Sequence, residues 1–215
     1  AQNPGPGETP ATATTLPIER IMPQDASGRR VVAQGWTGDM AEWVDMSRLT
    51  IGQAQAMRRT CLVRIDGNDP AQGTGFLIGP QTVLTNWHVV RDAQGNITVI
   101  FPDGFSSLAR VRKVDSDWDL AALIIWRPRV PPVHLSTYTP KPGELLTIAG
   151  YGSGNYRAAT GRCTQYVSPG VRFPPEMVEL SAEARQGDSG GPIFNERGEM
   201  AGVLFGASRG STLLT

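Results

Sequence analysis

The sequence predicts an all-β protein, a barrel or a sandwich, and three observations carry that reading. Short apolar runs recur at regular spacing from Cys61 onward. Turn residues separate them, drawn from 25 Gly and 17 Pro in a chain of 215 residues. A cluster of prolines (Pro128, Pro131, Pro132, Pro140 and Pro142) then divides the runs into two halves of the same style.

Residues 1–36 form an N-terminal extension. Its first 17 residues are rich in Pro, Thr, Gly and Ala with no apolar period, which predicts a flexible lead-in. Residues 37–60 change character. Met40, Trp43, Val44, Met46 and Leu49 share one face at helical spacing, Met57 continues it beyond Gly52, and Thr37 or Asp39 caps its start. A short helix packed against the main domain is expected here.

The first β half covers residues 61–127. Strands are expected at 61–66, 75–78, 82–85, 97–101, 109–114 and 120–126, broken by turns such as Gly67-Asn68-Asp69-Pro70 and Pro102-Asp103-Gly104. Residues 128–143 are the link. The second half, residues 144–215, shows further runs at 145–149, 162–167, 177–180, 192–194, 200–205 and 211–214. Asn195-Glu196-Arg197-Gly198 lies between two of these runs and predicts a hairpin.

Composition removes several function classes. Lys plus Arg is 20 and Asp plus Glu is 20, so net charge gives no recruitment to nucleic acid or to an anionic membrane. No run approaches the roughly 20 apolar residues of a membrane-spanning helix, so no membrane insertion is expected. Cys61, Cys163, His88 and His134 are scattered without ligand-pair spacing, which argues against a metal. Gly152-Ser153-Gly154 lacks the third glycine and the following helix of a dinucleotide site, and no cofactor is expected. The two cysteines are either buried thiols or one disulfide, the latter implying an oxidising compartment. His134 matches no motif and is expected on the surface. Asn96-Ile97-Thr98 has the form of a glycosylation acceptor but reads as a turn into a strand.

Three segments carry chemistry: Leu84-Thr85-Asn86-Trp87-His88-Val89-Val90, Asp117-Trp118-Asp119-Leu120-Ala121-Ala122-Leu123 and Gly187-Asp188-Ser189-Gly190-Gly191-Pro192. Together they closely resemble the His, Asp and Ser signatures of trypsin/chymotrypsin-type serine peptidases, in that family's order. Gly73-Thr74-Gly75-Phe76-Leu77-Ile78 is similar to the strand before the histidine in bacterial HtrA-like members. The resemblance covers roughly residues 61–207. It implies two packed antiparallel six-stranded β-barrels with the active site between them, His88 and Asp119 on the first and Ser189 on the second.

The resemblance also implies roles. Ser189 is the nucleophile, His88 its general base and then acid, and Asp119 orients the ring. Asp117 is the rival for the last position, and Leu120-Ala121-Ala122-Leu123 favours Asp119. The loop Gly187, Asp188 and Ser189 forms the oxyanion hole, with the backbone N–H groups of Gly187 and Ser189 as donors. Glu183, six residues before the serine, lies at the base of the substrate pocket if that pocket is acidic. Arg185 is close enough to neutralise it, and an exposed Glu183 beside a small apolar pocket is the favoured case. Leu204, Phe205 and Gly206 resemble the strand that pairs with the substrate backbone.

Asp188 corresponds to the aspartate that pairs with a newly made N-terminus in trypsin-like zymogens, and Arg29-Arg30 before Val31-Val32 faintly resembles such a cleavage site. The expectation is instead that nearby backbone or a side chain satisfies Asp188 and that no cleavage is needed. By position in that fold, Cys61 and Cys163 come near enough for a disulfide. The resulting expectation is a serine endopeptidase acting on polypeptides, with no nucleic-acid partner. An extracytoplasmic location and further domains in a longer parent chain are also expected. The alternatives are a non-catalytic binding module on the same fold and an esterase without peptidase activity.

Overall fold

A computed structural model of the protein describes residue 54 and residues 56–152, 154–168, 176–208 and 211–214. The lead-in over residues 1–36, the Arg29-Arg30 site and the expected helix up to residue 53 lie outside the described residues.

The first six strands are β1 (Thr60–Ile65), β2 (Ala71–Gly79), β3 (Thr82–Asn86), β4 (Ile97–Ile100), β5 (Ser106–Asp115) and β6 (Leu120–Ile124). They close into a barrel in the order β1-β2-β3-β6-β5-β4. The second set is β7 (Leu145–Gly150), β8 (Arg157–Val167), β9 (Met177–Leu180), β10 (Pro192–Phe194), β11 (Met200–Ser208) and β12 (Ser211–Leu214). These close in the order β10-β11-β12-β9-β8-β7. The all-β expectation and the two six-stranded antiparallel barrels are both found. The expected hairpin is β10 and β11, turned by Gly198 at φ 73°, whose N–H donates to Asn195 O at 2.9 Å.

Alternation along the strands builds the cores, because successive side chains point to opposite faces. Cys61, Val63 and Ile65 of β1 point into the first barrel beside Leu77, Val83, Val99 and Leu123. Leu62 and Phe76, on the opposite faces of β1 and β2, pack with Ala149, Tyr151, Tyr156, Phe194 and Val203 of the second barrel. Both faces of β1 are therefore covered, which is why it reads as a continuous apolar run rather than a half-buried one. Phe76 and Leu77 are fully buried on opposite sides of one strand, and each contributes about 2–3 kcal/mol of burial. The core of the second barrel is Leu146, Ile148, Cys163, Val178, Leu180, Ile193 and Leu204.

The connection between the barrels is tied to both. Val133 N–H donates to Leu77 O at 2.8 Å, and Leu135 forms a parallel bridge with Met200 on β11. No helix among the described residues is long and apolar enough to cross a membrane.

Candidate active site

The histidine segment departs from a simple strand and turn. β3 ends at Asn86, and the chain winds into one helical turn, α1 (Trp87–Val90), with Arg91 N–H donating to Trp87 O at 2.9 Å. That turn lifts His88 out of the sheet, leaving its side chain 37% exposed. Val90 on the same turn is buried in the barrel core and holds the turn down.

Asp119 sits in the turn before β6, in the left-handed region at φ 53°. Its carbonyl accepts Trp87 N–H at 2.8 Å and the Asn86 side-chain amide at 3.0 Å. Its carboxylate accepts the backbone N–H of His88 on Oδ1 at 2.8 Å and meets His88 Nδ1 through Oδ2 at 2.5 Å. Four contacts thus lock the aspartate to the histidine turn. The rival, Asp117, is exposed and its N–H donates to the Asp115 side chain at 3.2 Å.

Ser189 comes from the loop between β9 and β10. Its carbonyl accepts Thr74 N–H on β2 at 2.9 Å, so the first barrel holds the serine's backbone directly. Gly190 must approach that barrel closely, since a Cβ there would lie 2.3 Å from Thr74 O. Gly190 N–H donates to Leu204 O and Leu204 N–H donates to Gly191 O, both at 2.8 Å. Those bonds commit the backbone of Leu204 to the serine's loop, and its side chain is buried. Next along β11, Phe205 meets the His88 ring edge-on, with centroids 6.2 Å apart. His88 and Ser189 therefore belong to facing elements, but no hydrogen bond joins their side chains among the described residues.

Gly187 stands at φ 92°, and a Cβ on it would lie 2.0 Å from Gly152 O. Only glycine fits that conformation and that gap. Among the described residues the N–H groups of Gly187 and Ser189 are paired with no acceptor. Asp188, between them, turns its N–H to Arg185 O at 3.1 Å.

The Asp188 side chain is buried. Oδ1 accepts Gly152 N–H and Oδ2 accepts Arg185 N–H, each at 2.8 Å. The guanidinium groups of Arg157 and Arg185 stand 3.7 and 3.6 Å from its oxygens. Backbone and side chains together satisfy the carboxylate, as expected.

One expectation holds and one changes. Arg185 reaches Asp188, its guanidinium 3.6 Å from Oδ1. The Glu183 side chain is exposed, as in the favoured case, and its carbonyl accepts the Arg157 guanidinium at 2.7 Å. The disulfide expectation is the one that changes. Cys61 and Cys163 are free thiols, one in the core of each barrel, with the inter-barrel layer between them. Burial pushes the Cys61 thiol well above its ordinary pKa, and burial followed by the charge of Glu144 raises that of Cys163. His134 is exposed, as expected.

Sequence reasoning missed Thr74, Asn86 and Arg157. Each looks ordinary in a strand, and only the closed barrels bring them to the site.

Residues 73–203 match the trypsin-like peptidase domain. Serine protease Rv3671c of Mycobacterium tuberculosis (strain ATCC 25618 / H37Rv) is 35% identical over 146 residues, covering 64% of this chain and 36% of that protein. The probable periplasmic serine endoprotease DegP-like of Brucella suis biovar 1 is 30% identical over 150 residues, covering 66% of this chain and 29% of its own. The matched stretch thus spans about a third of the length of these curated relatives. Among solved structures, the active form of the Rv3671c protease superposes with a TM-score of 0.68 at 28% identity, covering 76% of this chain and 78% of that one. The chain belongs to the trypsin-like peptidase domain family.

Proposed function

We propose that the chain is a serine endopeptidase in which Ser189, His88 and Asp119 form the catalytic triad. The observation that carries this reading is the divided carboxylate of Asp119, which holds both the backbone and the ring of His88. With Nδ1 facing Asp119, the other ring nitrogen is left to take the serine's proton.

Ser189 Oγ attacks the substrate carbonyl carbon as its proton passes to His88 Nε2. The resulting oxyanion accepts the N–H groups of Gly187 and Ser189, which have no internal acceptor among the described residues. Collapse breaks the C–N bond, and the leaving amine takes the proton from His88. Water, with His88 again as base, then hydrolyses the acyl-enzyme ester. The substrate backbone pairs with Phe205 and Gly206, since Leu204 is committed to the serine's loop. The exposed Glu183 supports a pocket that is not acidic. Some relatives carry "periplasmic" in their names, which supports an extracytoplasmic site of action, and their greater length supports further domains in the parent chain.

Labelling with a fluorophosphonate, read by intact mass, tests the reading. One adduct is expected on the parent and none on Ser189→Ala, with hydrolysis of peptides as well as esters. An unlabelled parent favours the binding module, and ester hydrolysis alone favours the esterase.

A further inference from the structure

Thr74 on β2 is fully buried, and every polar atom it carries is engaged. Its N–H donates to Ser189 O at 2.9 Å, and its carbonyl accepts the Thr85 hydroxyl at 2.7 Å. Its own hydroxyl accepts Tyr151 N–H at 2.9 Å and donates to Gly187 O at 2.8 Å. The direction of that last bond is fixed by its partners. Tyr151 supplies a proton, so the hydroxyl hydrogen goes to the Gly187 carbonyl, which can only accept.

The first barrel therefore holds the backbone on both sides of Asp188 through one residue. Gly187 needs such a hold. A glycine that permits φ 92° also permits many other conformations, and nothing in its own chemistry selects one. The Gly152 carbonyl stands where a Cβ would be and limits one side. The carbonyl and N–H of Gly187 flank one Cα, so a hold on the carbonyl at that φ restricts where the N–H can point. We infer that Thr74 is a positioning residue for the oxyanion hole, its hydroxyl selecting the one conformation of Gly187 in which the N–H faces the cleft. The inference rests on the peptidase reading above.

Thr74→Val keeps the shape and removes the hydroxyl; Thr74→Ser keeps the hydroxyl and removes the methyl. Each is assayed as the whole chain on the best-cleaved peptide anilide of a mixed library, with a peptide boronate as the probe of the tetrahedral state. For Thr74→Val, kcat is expected to fall about 100-fold with KM nearly unchanged, and boronate affinity to fall by a similar factor, as for loss of one oxyanion donor. Thr74→Ser is expected to recover most of the activity. Wild-type kcat in Thr74→Val, a loss confined to KM, or equal impairment in both variants overturns the inference alone. If Thr74→Val does not fold, as judged by its thermal transition, Thr74→Ala replaces it. Failure of both to fold overturns the inference as well, because the hydroxyl then serves the fold. A parent chain without peptidase activity and without a fluorophosphonate adduct overturns the peptidase reading and this inference together.

Discussion

Asp119 grips His88 at two points, Oδ1 on the backbone N–H at 2.8 Å and Oδ2 on ring Nδ1 at 2.5 Å. The first bond seats the residue and the second selects the tautomer. Asp119→Asn keeps the size and an acceptor but places an amide against one of these nitrogens. It is expected to lower kcat by on the order of 10⁴-fold with little change in the melting temperature. Asp117→Asn, at an exposed position, is the control expected to retain activity within a few-fold. Steady-state kinetics of the two variants side by side decide which aspartate acts.

Gly187→Ala combines a disfavoured φ with a Cβ lying 2.0 Å from Gly152 O. The loop must shift, and the N–H of residue 187 shifts with it. A fall in kcat of about 10²-fold or more is expected, of the size seen when one oxyanion donor is lost. Retention of full kcat would show that this N–H takes no part.

Glu183→Ala is expected to leave the preference for the residue before the scissile bond unchanged, because its carboxylate is exposed and its carbonyl is what Arg157 holds. Cleavage profiling of a peptide library checks this. A selective loss of cleavage after Arg and Lys would restore the acidic pocket.

Thiolate is the reactive form of cysteine, so a thiol whose pKa is raised stays protonated and inert at mildly alkaline pH. Cys61 and Cys163 both shift upward, chiefly through burial. The native chain at about pH 8 is therefore expected to resist iodoacetamide, whereas the unfolded chain takes two adducts without prior reduction. A requirement for reductant before labelling would reinstate the disulfide.

All twelve strands lie where apolar runs mark them, but three begin at least three residues earlier than those runs. β2 starts at Ala71, β5 at Ser106 and β8 at Arg157, where the residues are small or polar. Ladder hydrogen bonds need no apolar side chain, so such strand starts carry no periodic signal. The helical turn at His88 was equally hidden, because four residues are too few to show a period. The proposed triad was legible because its members sit in local motifs. Thr74 was not: its partners are Ser189, Gly187, Tyr151 and Thr85, most of them more than 70 residues away. Arg157 and Asp188 meet in the same way, across the second barrel.

The left-handed backbone at Asp119 narrows what evolution can write there. Glycine and asparagine tolerate the conformation but bring no negative charge. Glutamate brings the charge on a longer stem, without the short side chain that makes such a backbone tolerable. Under the proposed triad, one position is screened by two unrelated filters, main-chain geometry and side-chain charge, and aspartate alone passes both. A drifting sequence that loses it has no neighbouring substitution by which to return to function except the reversion itself.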